Sequence, residues 1–269
     1  MYNDTEEVEE LTFLRAEKSG FDLTNSPFPG LIVGVAGGII CDAKFARTEG
    51  MSVADNLARI RETIGTSPVK LIAVTKSAKP AQIEEAYSSG VTEFGESRVQ
   101  DVLAKMQVLP PPVVNNSKWH FIGHLQTNKV KQAIGKFALI HSVDSLNLAK
   151  EISKVATSRE LIQPVLLQVK VMEDADKTGF SPDELRSQFA QIKNLPGLRI
   201  EGLMTITPLT EDKEVWQKCF DGLRDLRDEL EKTFDVNLRE LSMGMSTDWQ
   251  EAIKCGATMV RIGSAIFKE

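Results

Sequence analysis

The chain has 269 residues and a formal net charge of −6; residues 1–50 carry nine acidic and four basic side chains, and the remainder carries 29 acidic and 28 basic ones. A near-neutral body lacks the basic surface that binds nucleic acid, so we expect no such partner, and the length suits one α/β barrel or two smaller domains. The three cysteines show no Cys-x-x-Cys spacing, which excludes a disulfide framework or zinc knuckle and predicts a cytoplasmic location.

The first fifty residues do not follow the pattern of the rest of the chain. Their longest apolar stretch, Leu31 to Cys41, is too short and too rich in glycine to cross a bilayer, so we expect no membrane partner. The segment is acidic and is interrupted by Ser26-Pro27-Phe28-Pro29-Gly30. We interpret residues 1–50 as an extension, loosely attached or disordered, and residues 51–269 as one domain.

After a leading helix from Ser52 to Ile64, short apolar strands alternate with amphipathic helices. The predicted strands are Leu71–Thr75, Val91–Phe94, Trp119–Ile122, Leu139–Ser142, Val165–Val171, Ile200–Ile206, Glu240–Met243 and Met259–Ile262. The predicted helices between them are Pro80–Ser89, Arg98–Gln107, Gln126–Ile134, Ser145–Ser158, Pro182–Asn194, Asp212–Phe234 and Thr247–Lys254. Pro110-Pro111-Pro112 is interpreted as a loop.

This alternation predicts a parallel sheet closed into a single (β/α)₈ barrel. An open doubly wound sheet is the alternative fold. No Gly-x-Gly-x-x-Gly follows an early strand to favour it.

Lys76 follows the first predicted strand and precedes a turn that ends at Pro80. An ammonium at the mouth of a buried strand is partly desolvated, which favours its neutral, nucleophilic form. Such an amine forms Schiff bases with aldehydes, and pyridoxal phosphate is the common biological aldehyde. The alternative is a lysine that only extends into solvent at a strand end.

Functional residues of a (β/α)₈ barrel gather where its strands end. Besides Lys76, the predicted strand ends supply Ser97, His124, Met245, Ser246, Thr247, Gly263 and Ser264. Ser246 and Thr247 begin a predicted helix, whose free N–H groups favour an anion, and glycine at 263 allows close backbone approach. We therefore predict a phosphate site here; the alternative is that Ser246 or Thr247 only caps the helix.

Arg261 lies within the last predicted strand, where an inward guanidinium needs a partner. The partner of the Arg261 guanidinium is either a structural carboxylate or the ring nitrogen of a cofactor. An arginine donor would keep a pyridine nitrogen unprotonated and so limit its carbanion chemistry.

His120 and His124 lie on a strand and turn, roughly 13 Å apart, too far to share a metal ion. His124 is interpreted as lining the pocket and His120 as structural.

Five motifs occur in fixed order: Ala73-Val74-Thr75-Lys76, Phe94-Gly95-Glu96, Trp119 to Gln126, Leu241 to Ser246 and Val260 to Phe267. They resemble the pyridoxal phosphate homeostasis proteins over most of residues 52–267. The resemblance implies a barrel like the N-terminal domain of alanine racemase, with pyridoxal 5'-phosphate on Lys76. It also implies that Arg261 faces the pyridine nitrogen and that Ser246, Gly263 and Ser264 hold the phosphate.

The same resemblance implies a monomeric carrier of the cofactor that affects amino-acid and keto-acid balance, with pyridoxal-phosphate-dependent apoenzymes as candidate recipients. Two features depart from the family. Ser97 replaces its usual asparagine, which puts a contact near the ring hydroxyl in doubt, and Lys268-Glu269 follows Phe267 where the family has glycine.

The main alternative function is a minimal racemase-like enzyme dependent on pyridoxal phosphate. Alanine racemases bring a tyrosine base from a second domain. The tyrosines here, Tyr2 and Tyr87, lie in the extension and in the first inter-strand helix, which favours binding without catalytic turnover. A cofactor-free barrel isomerase that uses Lys76 is a third hypothesis.

Overall fold

The computed structural model describes residues 52–172 and 178–268; the predicted extension, residues 1–50, lies outside them. The described strands form a closed parallel barrel in sequential order. They are Lys70–Val74 (β1), Glu93–Glu96 (β2), Lys118–Phe121 (β3), Leu139–Val143 (β4), Gln163–Gln168 (β5), Leu198–Met204 (β6), Glu240–Ser242 (β7) and Met259–Ile262 (β8). β8 pairs with β1 and closes the ring, with Arg261 opposite Ile72. The predicted (β/α)₈ barrel is confirmed, and the open sheet is excluded.

Helices connect the strands and cover the outside of the barrel. They are Val53–Ile64 (α1), Pro80–Ser88 (α2), Val99–Val108 (α3), Pro111–Asn115 (α4), Val130–Ala133 (α5), Leu146–Ser158 (α6), Pro182–Lys193 (α7), Lys213–Phe234 (α8), Trp249–Lys254 (α9) and Ser264–Phe267 (α10). The helix α7 begins at a capping box that its sequence predicts. Ser181 and Glu184 each accept a hydrogen bond from the other's backbone N–H.

Several local predictions are wrong in their bounds. The triple proline is not only a loop, because α4 begins at Pro111. Proline is tolerated in a first helical turn, because a backbone N–H there would have no intrahelical partner and its absence costs nothing. The helix predicted at Gln126–Ile134 is divided into a 3₁₀ turn, Thr127–Lys129, and α5. β2 starts at Glu93 rather than Val91. The start of this strand is determined by the pairing of Glu93 with Lys118 of β3, and not by the apolar residues that the prediction used.

Two apolar clusters stabilise the barrel. The larger one packs the outward side chains of the strands against the helices. The smaller one lies inside the barrel and consists of Ile72, Leu139, Leu166, Met204 and Met259. Because both faces of a parallel sheet are buried, β1, β4, β5, β6 and β8 each contribute to both clusters. Throughout 52–172 and 178–268, each helix is too short or too polar to cross a bilayer.

Candidate functional site

A cavity of about 530 Å³ opens where the strands end. Eight of the nine predicted site residues line it, namely Lys76, Ser97, Met245, Ser246, Thr247, Arg261, Gly263 and Ser264. Val74, Ser77, Ile122, Ile206 and Lys268 complete the described lining. The volume lies within the range of small-molecule pockets, roughly 300–1,000 Å³.

His124 lies outside this cavity. It lines a neighbouring cavity of about 400 Å³ that shares Ser97 with the first. Its Nδ1 is 3.0 Å from the Asp144 carboxylate, and its side chain is 53% exposed. Gly123 sets this arrangement, because a Cβ there would lie 2.1 Å from the Ser97 carbonyl oxygen. Only glycine lets the loops after β2 and β3 approach so closely.

Lys76 is exposed at the cavity mouth rather than partly desolvated as predicted. The reason is that β1 ends at Val74 and the following turn carries Lys76 beyond the strand. Thr75, in contrast, is fully buried and donates its hydroxyl to Glu96 at 2.7 Å. The ammonium of Lys105 donates to both the Thr75 carbonyl oxygen and the Glu96 carboxylate. These bonds fix the backbone directly before Lys76.

Arg261 is 4% exposed and points into the barrel. Its Nη1 donates to Ser242 Oγ at 2.6 Å and its Nη2 donates to the Thr205 carbonyl oxygen at 2.8 Å. Burial lowers the pKa of Arg261 to about 10, against the raising effect of the Asp248 charge, so the guanidinium stays protonated at neutral pH. Within the described residues its hydrogen-bond partners are neutral, which favours the ligand alternative over a structural carboxylate.

Backbone N–H groups converge beside Ser246. The Ser246 hydroxyl oxygen accepts hydrogen bonds from the N–H groups of Gly263, at 3.2 Å, and Ala265, at 3.4 Å. A Cβ on Gly263 would lie 3.1 Å from the Val74 carbonyl oxygen, so glycine allows β8 to end close against β1. Two N–H donors and a hydroxyl at one point suit an anionic oxygen.

The helix predicted to begin at Thr247 begins at Trp249 and has six residues. Asp248 accounts for the difference: its Oδ1 accepts the Met245 N–H at 2.6 Å and its Oδ2 accepts the Thr207 hydroxyl at 2.6 Å. Asp248 is also the N-cap residue, so neither Ser246 nor Thr247 caps the helix. This role of Asp248 is not visible in the sequence, where the residue falls inside the predicted helix Thr247–Lys254.

A group of hydrogen-bonded side chains inside the barrel was not predicted from the sequence. His120 Nδ1 lies 2.9 Å from His141 Nε2, and His141 Nδ1 lies 2.8 Å from Ser242 Oγ. His120 Nε2 lies 2.6 Å from a carboxylate oxygen of Glu93. Burial, with the charge of Arg261, holds the pKa of His141 well below its usual value. Among residues 52–172 and 178–268, no group of three or more metal-ligating side chains is placed to hold an ion.

The family model of the N-terminal domain of alanine racemase matches residues 51–269. The pyridoxal phosphate homeostasis protein of Aquifex aeolicus (strain VF5) is 42% identical over 228 residues, which cover 81% of this chain and 99% of that protein. The chain belongs to the pyridoxal phosphate homeostasis protein family. The resemblance deduced from the five motifs is therefore confirmed.

Solved structures agree with membership of the homeostasis-protein family. PipY of Synechococcus elongatus PCC7942, solved with PLP bound, is 38% identical with a TM-score of 0.74, covering 80% of this chain and 100% of PipY. An alanine racemase of Clostridium difficile 630 has a TM-score of 0.66 at 16% identity, covering 81% of this chain and 56% of the racemase. At that identity the likeness to the racemase shows a shared fold.

Proposed function

We propose that this chain binds pyridoxal 5'-phosphate in the 530 Å³ cavity and regulates the supply of the free cofactor. One observation carries the proposal. The Lys76 amine and the buried Arg261 guanidinium line the same cavity, in a chain that is 38% identical to a protein solved with PLP bound.

The described residues fit the three ends of this ligand. When bound, pyridoxal phosphate supplies an aldehyde, a pyridine nitrogen and a phosphate. Lys76 is the amine that forms the Schiff base, and Arg261 donates toward the ring nitrogen. Ser246 and the N–H groups of Gly263 and Ala265 hold the phosphate.

The charges of the site favour holding the cofactor over catalytic turnover. Arg261 is protonated at neutral pH and donates a proton without releasing it, so it leaves the pyridine nitrogen unprotonated. Among the described lining residues, the titratable side chains are the cations Lys76, Arg261 and Lys268. A second acid–base group of the kind that racemization needs is not among them. We therefore attribute effects on amino-acid and keto-acid balance to cofactor supply.

We further propose that the protein acts as a cytoplasmic monomer that hands the cofactor to apoenzymes. The location is supported by Cys219 and Cys255, which are buried in reduced form. The racemase-like alternative would be established by turnover of D- or L-alanine that Lys76→Ala abolishes.

Covalent attachment is the decisive test of the binding site. Full-length protein incubated with pyridoxal phosphate is expected to show a visible absorption band, and borohydride should fix the cofactor on the peptide that contains Lys76. Lys76→Ala should lose both signals. Lys268→Ala is the matched control, because Lys268 is a second exposed lysine on the same cavity. A colourless wild-type protein, or an adduct on Lys268, would contradict the proposal.

The carrier function has its own test. A pyridoxal-phosphate-dependent apoenzyme should regain activity faster from loaded wild-type protein than from the same protein reduced with borohydride, because reduction makes the attachment irreversible. Equal recovery from both would leave binding intact and refute transfer.

A further inference from the structure

A line of hydrogen bonds crosses the barrel interior from the cavity to the opposite face. It runs from Arg261 on β8 to Ser242 on β7, across the barrel to His141 on β4, then to His120 on β3 and Glu93 on β2. Its successive distances are 2.6, 2.8, 2.9 and 2.6 Å. The three middle side chains are buried.

When both imidazoles are neutral, the carboxylate of Glu93 at one end fixes the direction of every bond. An arginine has donors only, so Ser242 Oγ accepts from Arg261 and keeps its own proton to donate to His141 Nδ1. His141 therefore carries its proton on Nε2 and donates it to His120 Nδ1. His120 in turn carries its proton on Nε2 and donates to Glu93, whose ionised carboxylate can only accept. In this order each donor has an acceptor while both imidazoles are neutral.

The electrostatics of the interior agree with this order. The pKa of His141 is held well below its usual value by burial first, and the Arg261 charge acts in the same direction. Burial raises the pKa of Glu93, but its hydrogen bonds to His120 and Lys118 and the Lys118 charge outweigh burial and leave the pKa lowered. A neutral His141 and an ionised Glu93 are the states that the line of bonds requires.

We propose that Ser242, His141, His120 and Glu93 are positioning residues that fix the Arg261 guanidinium toward the cavity through this one-directional line of bonds. Without the Ser242 hydroxyl, Nη1 would lose its acceptor and the guanidinium would be held by the Thr205 carbonyl oxygen. The effect on the cofactor rests on the proposed function, whereas the positions of the protons in the line of bonds are independent of that function.

The proton order is testable on the full-length protein without cofactor. The chain has three histidines, so the imidazole nitrogens give few ¹⁵N signals, and His124→Gln assigns one set. We expect His120 and His141 to be neutral with the proton on Nε2 near pH 7.5. A proton on Nδ1 of either residue, or a doubly protonated ring, would overturn the proposal.

Pyridoxal phosphate is the probe for the positioning role. Ser242→Ala should weaken its binding about tenfold or more, because a hydrogen bond to a charged group is lost, and should shift the absorption maximum of the bound cofactor. Ser142→Ala is the matched control: it removes another buried serine hydroxyl, one without a hydrogen-bond partner among the described residues. It should leave affinity and spectrum unchanged.

The outcomes separate the two proposals. If Ser242→Ala and Ser142→Ala bind with equal affinity and identical spectra, the positioning role is refuted while the cofactor function stands. If the wild-type protein binds no pyridoxal phosphate, the proposed function fails, and the ¹⁵N experiment still decides the proton order. His141→Gln offers a second variant that shortens the line of bonds, should Ser242→Ala fold poorly.

Discussion

The Asp248 carboxylate lies 2.6 Å from the backbone nitrogen of Met245 and so closes the loop that carries three residues of the site. Its second oxygen accepts the Thr207 hydroxyl, which ties the same loop to the end of β6. The carboxylate is 2% exposed, so water cannot replace either bond. The position of Ser246 and Thr247 therefore depends on a residue that does not line the cavity.

Asp248→Ala is expected to weaken binding of pyridoxal phosphate and to lower the free energy of unfolding by about 2–3 kcal/mol, because it removes the carboxylate that accepts from both the Met245 N–H and the Thr207 hydroxyl. Urea unfolding and cofactor titration measure the two effects. Asp212→Ala is the control, since Asp212 also accepts a backbone N–H, at the start of α8. That change should cost about 1 kcal/mol and leave cofactor binding unaltered. Equal behaviour of the two variants would refute the role of the loop.

Gly244 and Gly256 allow a comparison of backbone strain with steric contact. Both have a left-handed φ, +90° and +93°, which favours glycine. A Cβ at Gly244 would lie 2.6 Å from the Ala252 Cβ, whereas a Cβ at Gly256 would have its nearest neighbour, an Arg224 side-chain atom, at 3.8 Å. Gly256→Ala should therefore cost about 1–2 kcal/mol of stability from φ alone. Gly244→Ala should cost more and also reduce cofactor binding, because the clash displaces the adjoining loop.

The barrel and most of the cavity lining could be predicted because both depend on local pattern. Eight apolar strands separated by helices have few ways to fold, and the barrel then brings Lys76 and Arg261, which are far apart in sequence, to one face. The exposure of Lys76 could not be predicted, since it depends on a turn only two residues past the end of β1. The separation of His124 from the cavity depends on the contact between Gly123 and Ser97.

The interior line of bonds could not be predicted, because sequence pattern gives no register between distant strands. His141 and Ser242 are 101 positions apart and meet only when the barrel closes. His141 also occupies a run that reads as an ordinary apolar strand, Leu139 to Val143. The polar His141 within this apolar run indicates a buried hydrogen bond, because buried polar groups are nearly always paired. Only the structure identifies Ser242 as its partner.

The Glu96–Lys105 ion pair offers a test of what holds the backbone before Lys76. Glu96 is fully buried, so Lys105→Met leaves its carboxylate without a counter-charge and should destabilise the fold by about 3–5 kcal/mol. The double variant Glu96→Leu/Lys105→Met should recover part of that loss, because no buried charge remains. Urea unfolding of the single and double variants measures the difference. If the double variant loses as much stability as the two single variants together, the two side chains act independently.

Stability below neutral pH should depend on His141. An unfolded histidine titrates near 6.5, but burial and the charge of Arg261 hold the folded pKa of His141 well below that value. Between the two pKa values the unfolded chain binds a proton that the folded chain does not. This contribution to stability is thus constant above pH 6.5 and falls as the pH drops below it, by up to about 1.4 kcal/mol per unit.

The range from about pH 5 to 6.5 separates this effect from that of Glu93, because the lowered pKa of Glu93 keeps its stabilising contribution present until the pH falls below about 4.5. Urea midpoints in that range should fall less steeply for His141→Gln than for the wild-type protein, since glutamine has no proton to gain. Ser142→Ala should keep the wild-type slope, because it removes a neighbouring buried group that does not titrate. An unchanged slope in His141→Gln would show that the buried imidazole is not the group that unfolding protonates.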